Sequence, residues 1–287
     1  MQKIRHPLWQ QRRRFHGLYA LLAGAVIANA TYAETSQATP QNTVLAQLTW
    51  VEVAAAIKSG KTTIIIPIGG IEQNGAHMAL DKHNRRVQLL SEQIAHALGN
   101  ALLAPVLAYV PEGDIDPPTG HMRYAGTISI SEAAFAEVVK GAANSLRRAG
   151  FIDVVLLGDS GNYQGQLKQI ASELNRQWLK NIKATPMPRV HFIAQYYLAT
   201  QQNYQRQLRD KGLSAAEIGR HAASADTSLM LALDASLVRE DKIKNADVNA
   251  NGVGGDARRS SSALGQLGVT TIVDETVKAI RQATAKP

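Results

Sequence analysis

Residues 64–84, IIIPIGGIEQNGAHMALDKHN, decide the fold. They continue an apolar run that begins at Thr62 and ends in Gly69-Gly70. Glu72, Asn74, His77, Asp81 and His83 follow within twelve residues. An apolar run of this length predicts a strand covered on both faces. A buried strand that delivers carboxylate and imidazole groups at its carboxyl end is how parallel α/β sheets present a site.

The segments on either side repeat the alternation. Thr49-Trp50-Val51-Glu52 is a capping box opening a helix that stops near Gly60. Val87, Leu90, Ile94 and Leu98 have helical spacing before Gly99. Further strands are expected at 102–110, 152–157 and 190–195. Further helices are expected from Ser131 to Arg148, to Trp178, over 215–233 and over 269–284. Strands alternating with helices of this length predict a mainly parallel central sheet with helices on both faces. The loop 111–127 is rich in Gly, Asp and Pro and too long for a simple connection.

Composition narrows the rest. The 287 residues are 45% hydrophobic with no cysteine, enough for one substantial core. The formal charge is +8, but Lys3, Arg5, Arg12, Arg13 and Arg14 fall in the first 33 residues, leaving +3. That balance, with 5% aromatics, gives no nucleic-acid footprint.

Residues 1–33 read as a signal peptide: a basic start, the apolar segment 17–28 and Thr31-Tyr32-Ala33 before a cleavage point. Arg12-Arg13-Arg14-Phe15 is similar to a twin-arginine export signal. The apolar run is too short to span a bilayer, so no membrane span is expected in the mature chain. The expected location is periplasmic. Residues 34–46 read as a linker and 47–287 as a single domain.

Four constellations carry the chemistry. In the first, Glu72 and His83 are candidate metal ligands, with His77 and Asp81 as ligands or as groups that orient them. In the second, Asp159-Ser160 follows the third strand; Asp159 is a ligand or an anchoring carboxylate and Ser160 a substrate donor. The loop 158–165 lacks the G-x-S-x-G spacing of a nucleophile elbow. In the third, His221 and Asp226 are five apart and bracket a bend. In the fourth, His121 lies in the long loop, placed to form a lid. Residues 252–255, GVGG, carry no cofactor spacing.

These residues resemble the motifs of the creatininase (creatinine amidohydrolase) family over most of 48–280. The family's G-x-x-E-x-H-G-x-H stands here as residues 69–77, with His83 eleven positions after Glu72. Its H-x-x-F-P-G-T is similar to HMRYAGT at 121–127. Its strand and N-G-H-G-G-N resemble VVLLGDSGN at 154–162, and its H-A-G-E-x-E-T-S-x-M-L is similar to HAASADTSLML at 221–231.

The resemblance implies a three-layer αβα sandwich, a homo-hexamer and a two-metal site that activates water against a cyclic amide or formamide C–N bond. The chain departs from that pattern. Asn74 stands in place of a ligand His, His83 in place of the bridging Asp, Asp159 in place of a ligand His, and Gly161 where some members carry a Glu. The exchange at 83 and 159 is reciprocal. The expectation is therefore one divalent ion, Zn or Mn, held by Glu72, His83 and Asp159 with Asp226 assisting. His77 or His221 would be the acid or base, and Asn74, His121 and Ser160 would contact a small-molecule substrate. The competing expectations are a catalytically silent periplasmic binding protein and metal-free hydrolysis by Ser160.

Overall fold

A computed structural model describes residues 42–285. The signal-peptide reading and most of the linker reading lie outside the described residues. The linker's last part pairs with the sheet, since Val44 bridges Leu103 in parallel.

Four strands form a parallel sheet in the order β2-β1-β3-β4. They are β1 (Thr63–Ile68), β2 (Ala101–Leu103), β3 (Asp153–Gly158) and β4 (Arg189–Phe192). The helices in chain order are α1 (Trp50–Lys58), α2 (Lys82–Leu98), α3 (Glu132–Ala149), α4 (Gln164–Asn181), α5 (Gln195–Ala199), α6 (Gln205–Asp210), α7 (Ala215–Ile218), α8 (Ser224–Leu233), α9 (Glu240–Ile243) and α10 (Ser262–Thr284).

Side chains alternate across the strands and build two cores. Ile64, Ile66, Val154 and Leu156 pack with Phe135 and Val139 of α3 and Leu167 and Trp178 of α4. Ile65, Val155 and Leu157 face the other way, onto Val87, Leu90 and Ile94 of α2 and Ile272 and Ile280 of α10. Helices therefore cover both faces, the αβα sandwich expected from the alternation. Among the described residues no helix is long and apolar enough to cross a membrane.

Three boundaries differ most from expectation. The second strand ends at Leu103, before Pro105, which has no N–H for a ladder. The helical stretch 215–233 is broken into α7 and α8, with Gly219 and Ala222 at φ of 68° and 53°. The last helix starts at Ser262, where Ser261 caps it through Leu264 N–H.

The fold brings four segments to one sheet edge. β1 and β3 run side by side, with Ile68 opposite Gly158, so Glu72 and Asp159 leave from the same edge. Tyr163 locks this edge: its hydroxyl donates to the carbonyls of Ile68 and Gly69 and accepts from the N–H groups of Asp159 and Ser160. The first turn of α2 lies over it, drawn close because Gly69 has no Cβ; one there would sit 2.1 Å from Asn84 Oδ1.

Candidate metal and hydrolase site

The first turn of α2 breaks a local rule. Lys82, His83 and Arg86 stand at the positive end of the helix dipole, where acidic residues are favoured and none is present. All three are buried. Such a violation persists only where other elements compensate it.

Here three carboxylates compensate it, in a closed ring. Glu72 Oε1 lies 2.6 Å from His83 Nε2, and His83 Nδ1 lies 2.5 Å from Asp159 Oδ2. Arg86 joins Asp159 at 2.8 Å to Asp226 at 2.7 Å. Lys82 Nζ lies 3.5 Å from Asp226 and 3.2 Å from Glu72, which closes the circle. Acidic and basic groups alternate around it.

The charges follow from these contacts. Burial alone would raise the carboxyls, but His83 and Lys82 hold Glu72, and Lys82 and Arg86 hold Asp226, well below the usual carboxylate range. Asp159 is likewise lowered against its burial by Arg86 and His83. For His83, burial and Lys82 favour the neutral ring, yet Glu72 and Asp159 overcome them and raise its pKa. A ring with a carboxylate oxygen at each nitrogen donates from both, as imidazolium.

In this geometry the expected ligands already have partners. His83, with both nitrogens engaged, has no lone pair for an ion. Asp159 takes Arg86, His83 and the Tyr196 hydroxyl, the last at 2.7 Å. Asp226 takes Arg86, Lys82 and the Ala222 N–H. Of the four expected ligands, only Glu72 has an outer face turned to other donors.

On that face stand two histidines. His121 Nε2 lies 3.3 Å from Glu72 Oε2, and His221 Nδ1 lies 3.6 Å from Glu72 Oε1. Their ring centres are 4.5 Å apart. One ligand atom from each of Glu72, His121 and His221 falls within 4.8 Å of the others, a candidate metal site.

Gln73 holds both rings from behind. Its Oε1 accepts from Gly75 N–H, which fixes the amide, and its Nε2 donates to Gly252 O and to His121 Nδ1. Its main-chain carbonyl accepts from His221 Nε2 at 2.9 Å. His221 turns its Nδ1 toward the ionised Glu72 carboxylate, 3.6 Å away, while its Nε2 also lies 3.2 Å from Gln73 Nε2. Burial first, then Lys82, lowers His221 to about 4, so the ring is neutral at pH 7. A cation satisfies His221 and Glu72 together. His121, whose Nδ1 accepts from Gln73, turns its Nε2 to Glu72. One carboxylate and two imidazoles with an open position is the donor set of catalytic zinc sites.

The other expected residues are distributed unevenly. Ser160 lines the same cavity of about 190 Å³, as does Arg220. His77 is packed behind it, with Nε2 3.0 Å from Thr227 Oγ1 and its pKa lowered by burial, and does not line the cavity. Asn74 is turned onto its own loop, donating to the carbonyls of Glu72 and Ala79. Asp81 sits before α2 and accepts from Asn84.

Sequence reasoning did not single out Gln73, Lys82, Arg86 or Glu112. Glu112, in the long loop, is 2% exposed. Burial, then the negative charge of Glu72, pushes its carboxyl up to about 8. The signal available for Lys82 and Arg86 was their place in a helix start whose first turn holds no acid.

The model of the family described as creatinine amidohydrolase matches residues 46–280. The chain belongs to the creatininase family. A creatinine amidohydrolase of Pseudomonas putida is 26% identical over 203 residues, covering 69% of this chain and 74% of its own. A mycofactocin precursor peptide peptidase of Mycobacterium tuberculosis is 32% identical over 122 residues, 38% of this chain and 45% of its own.

Solved creatininases share the fold. A crystal structure of creatinine amidohydrolase superposes with a TM-score of 0.69 at 24% identity, covering 86% of this chain and 100% of its own. A structure described as creatininase Mn gives 0.67 at 25% identity, covering 85% and 99%. A putative creatinine amidohydrolase of Bacteroides fragilis gives 0.62 at 16%, covering 86% and 98%. Within the creatininase family, this chain combines the shared sandwich with a ring of its own cations beside the candidate metal site.

Proposed function

We propose that the chain is an exported hydrolase that cleaves a non-peptide C–N bond, a cyclic amide or formamide, of a small molecule with one divalent ion. The observation that carries this reading is the convergence of Glu72, His121 and His221, with His221 Nδ1 facing the Glu72 carboxylate, in a small cavity at the carboxyl edge of the sheet. The relatives support C–N hydrolysis, since one is named an amidohydrolase and another a peptidase, and the amidohydrolase supports the non-peptide bond.

Glu72, His121 and His221 would hold the ion, which when bound polarises an amide carbonyl and acidifies water. The chain's own groups do the rest. Lys82 and His83 keep Glu72 ionised and fixed on one side. Ser160 and Arg220 line the cavity and offer donors to the substrate carbonyl. The loop that carries His121 limits water.

A second reading, a binding protein that keeps the fold, draws on the ring: Glu72, Asp159 and Asp226 already have cationic partners. Elemental analysis of the mature protein decides between them, beside Glu72→Ala and His221→Ala. One Zn or Mn per chain, absent from both variants, with ring opening of cyclic amides or formate release from formamides, supports the hydrolase. An ion-free protein after incubation with either metal overturns it.

A further inference from the structure

The carboxylates that line the reaction cavity are already matched. Glu72 faces Lys82, and Asp159 and Asp226 face Arg86. One cation of the lining stands outside that ring. Arg220 lines the same cavity, yet its guanidinium makes no hydrogen bond or ion pair among the described residues. Arg85, Arg258 and Arg259 each reach a carboxylate elsewhere in the chain.

An exposed arginine is ordinarily a solvated group. The main chain of Arg220, however, is fixed beside the reacting centre. Its N–H donates to Gly254 O at 2.6 Å. The next residue, His221, pairs with Gly254 through both its N–H and its carbonyl. Gly219, before it, stands at φ 68°, and a Cβ there would lie 2.1 Å from Ala223 Cβ. The guanidinium therefore extends from a held turn, next in the chain to a candidate metal ligand. Its five N–H donors are enough for a carboxylate fork and a carbonyl together.

A second donor waits on the same lining. The Tyr197 hydroxyl has no hydrogen-bond partner among the described residues. Gly161 leaves it room, since a Cβ there would sit 2.7 Å from Tyr197 Oη. At about 190 Å³ the cavity is below the range of sites for drug-sized ligands, so its occupant is small.

We propose that the substrate carries a carboxylate beside its scissile amide, and that Arg220, with the Tyr197 hydroxyl, binds that carboxylate. This rests on the hydrolase reading for the amide and on the cavity lining for the anion. A carboxylate gives the guanidinium the partner it lacks without drawing on Lys82 or Arg86, which the ring holds. A neutral cyclic amide leaves Arg220 unpaired, and a cationic one meets it with like charge.

The test uses two probes that differ at one group: 5-oxoproline and 5-hydroxymethyl-2-pyrrolidinone, in which a neutral alcohol replaces the carboxylate. Their binding to the full mature chain, to Arg220→Gln and to Arg220→Lys is measured by calorimetry, with ring opening followed in parallel by the amine released. Wild type should prefer the carboxylate probe about tenfold, the low end for a hydrogen bond to a charged group. Arg220→Gln should bring the two probes to equal affinity. Arg220→Lys, which keeps the charge without the fork, should retain part of the preference. Neither variant should shift the urea midpoint, because the guanidinium holds no other group, so unfolding does not account for a lost preference. Equal affinity of wild type for the two probes, a preference that survives Arg220→Gln, or saturable binding of neither overturns the carboxylate site. A carboxylate preference with neither ring opened counts against the hydrolase reading and leaves the carboxylate site standing. Equal affinity with both rings opened does the reverse.

Discussion

His83 and Asp159 meet at 2.5 Å, Nδ1 to Oδ2, while the other face of the same imidazole rests on Glu72. The ring therefore carries both protons. Nitrogen-detected NMR of the imidazole should show the doubly protonated form at pH 7, persisting above the usual His value of about 6.5. A neutral tautomer at pH 7 would sink this assignment.

Removing one member of the ring leaves the others uncompensated. Lys82→Met keeps the stem but deletes the ammonium between Glu72 and Asp226. The expected loss is about 3–5 kcal/mol of unfolding free energy, as for breaking a buried pair from one side. Urea denaturation measures it, and a change under about 1 kcal/mol would mean that water already screens the ring.

Gln73→Leu separates orientation from stability. The variant keeps the side-chain bulk but frees His121 from its donor, and leaves the carbonyl contact to His221 in place. Metal affinity should fall about 10–100-fold, the usual effect of losing a group that orients a ligand. Competition with a chelator reads the change. Unaltered affinity would mean that His121 takes no part in holding the ion.

Acid should weaken the fold through the same carboxylates. Asp159 and Asp226 have folded pKa values below their unfolded ones. Such groups contribute stability above an unfolded value of about 3.9 and lose it as pH falls toward their folded values. His83 has the opposite sign: its contribution is full below about 6.5 and fades as pH rises through its raised value. Denaturation midpoints should drop steeply below about pH 4, and Asp159→Asn should flatten that drop.

Much of this was legible in the sequence. The alternation of Ile64, Ile65 and Ile66 between two cores is what a strand covered on both faces requires. Glu72, His121, Ser160 and His221 were named from motif positions and converge on one cavity. What stayed hidden depends on distance in the chain. Lys82 and Arg86 gain their partners only when Asp159 and Asp226 arrive from the end of β3 and from α8. The reciprocal exchange at 83 and 159 pointed to a rearranged set of ligands around one ion, yet nothing in the motif showed that His83 would lie directly against Asp159. Glu112, in a loop of Gly, Asp and Pro, had no local sign of burial.

The glycine stretch that carried no cofactor spacing has a consequence for descent. Gly252 stands at φ 84° against Gln73, where a Cβ would come within 1.9 Å of the amide oxygen. Any larger residue there would push away the side chain that steadies His121. A lineage keeping this chemistry can vary the surface around residues 245–262 but not that one atom of clearance. A relative with alanine at this position should also have replaced Gln73, and the two positions should change together through evolution.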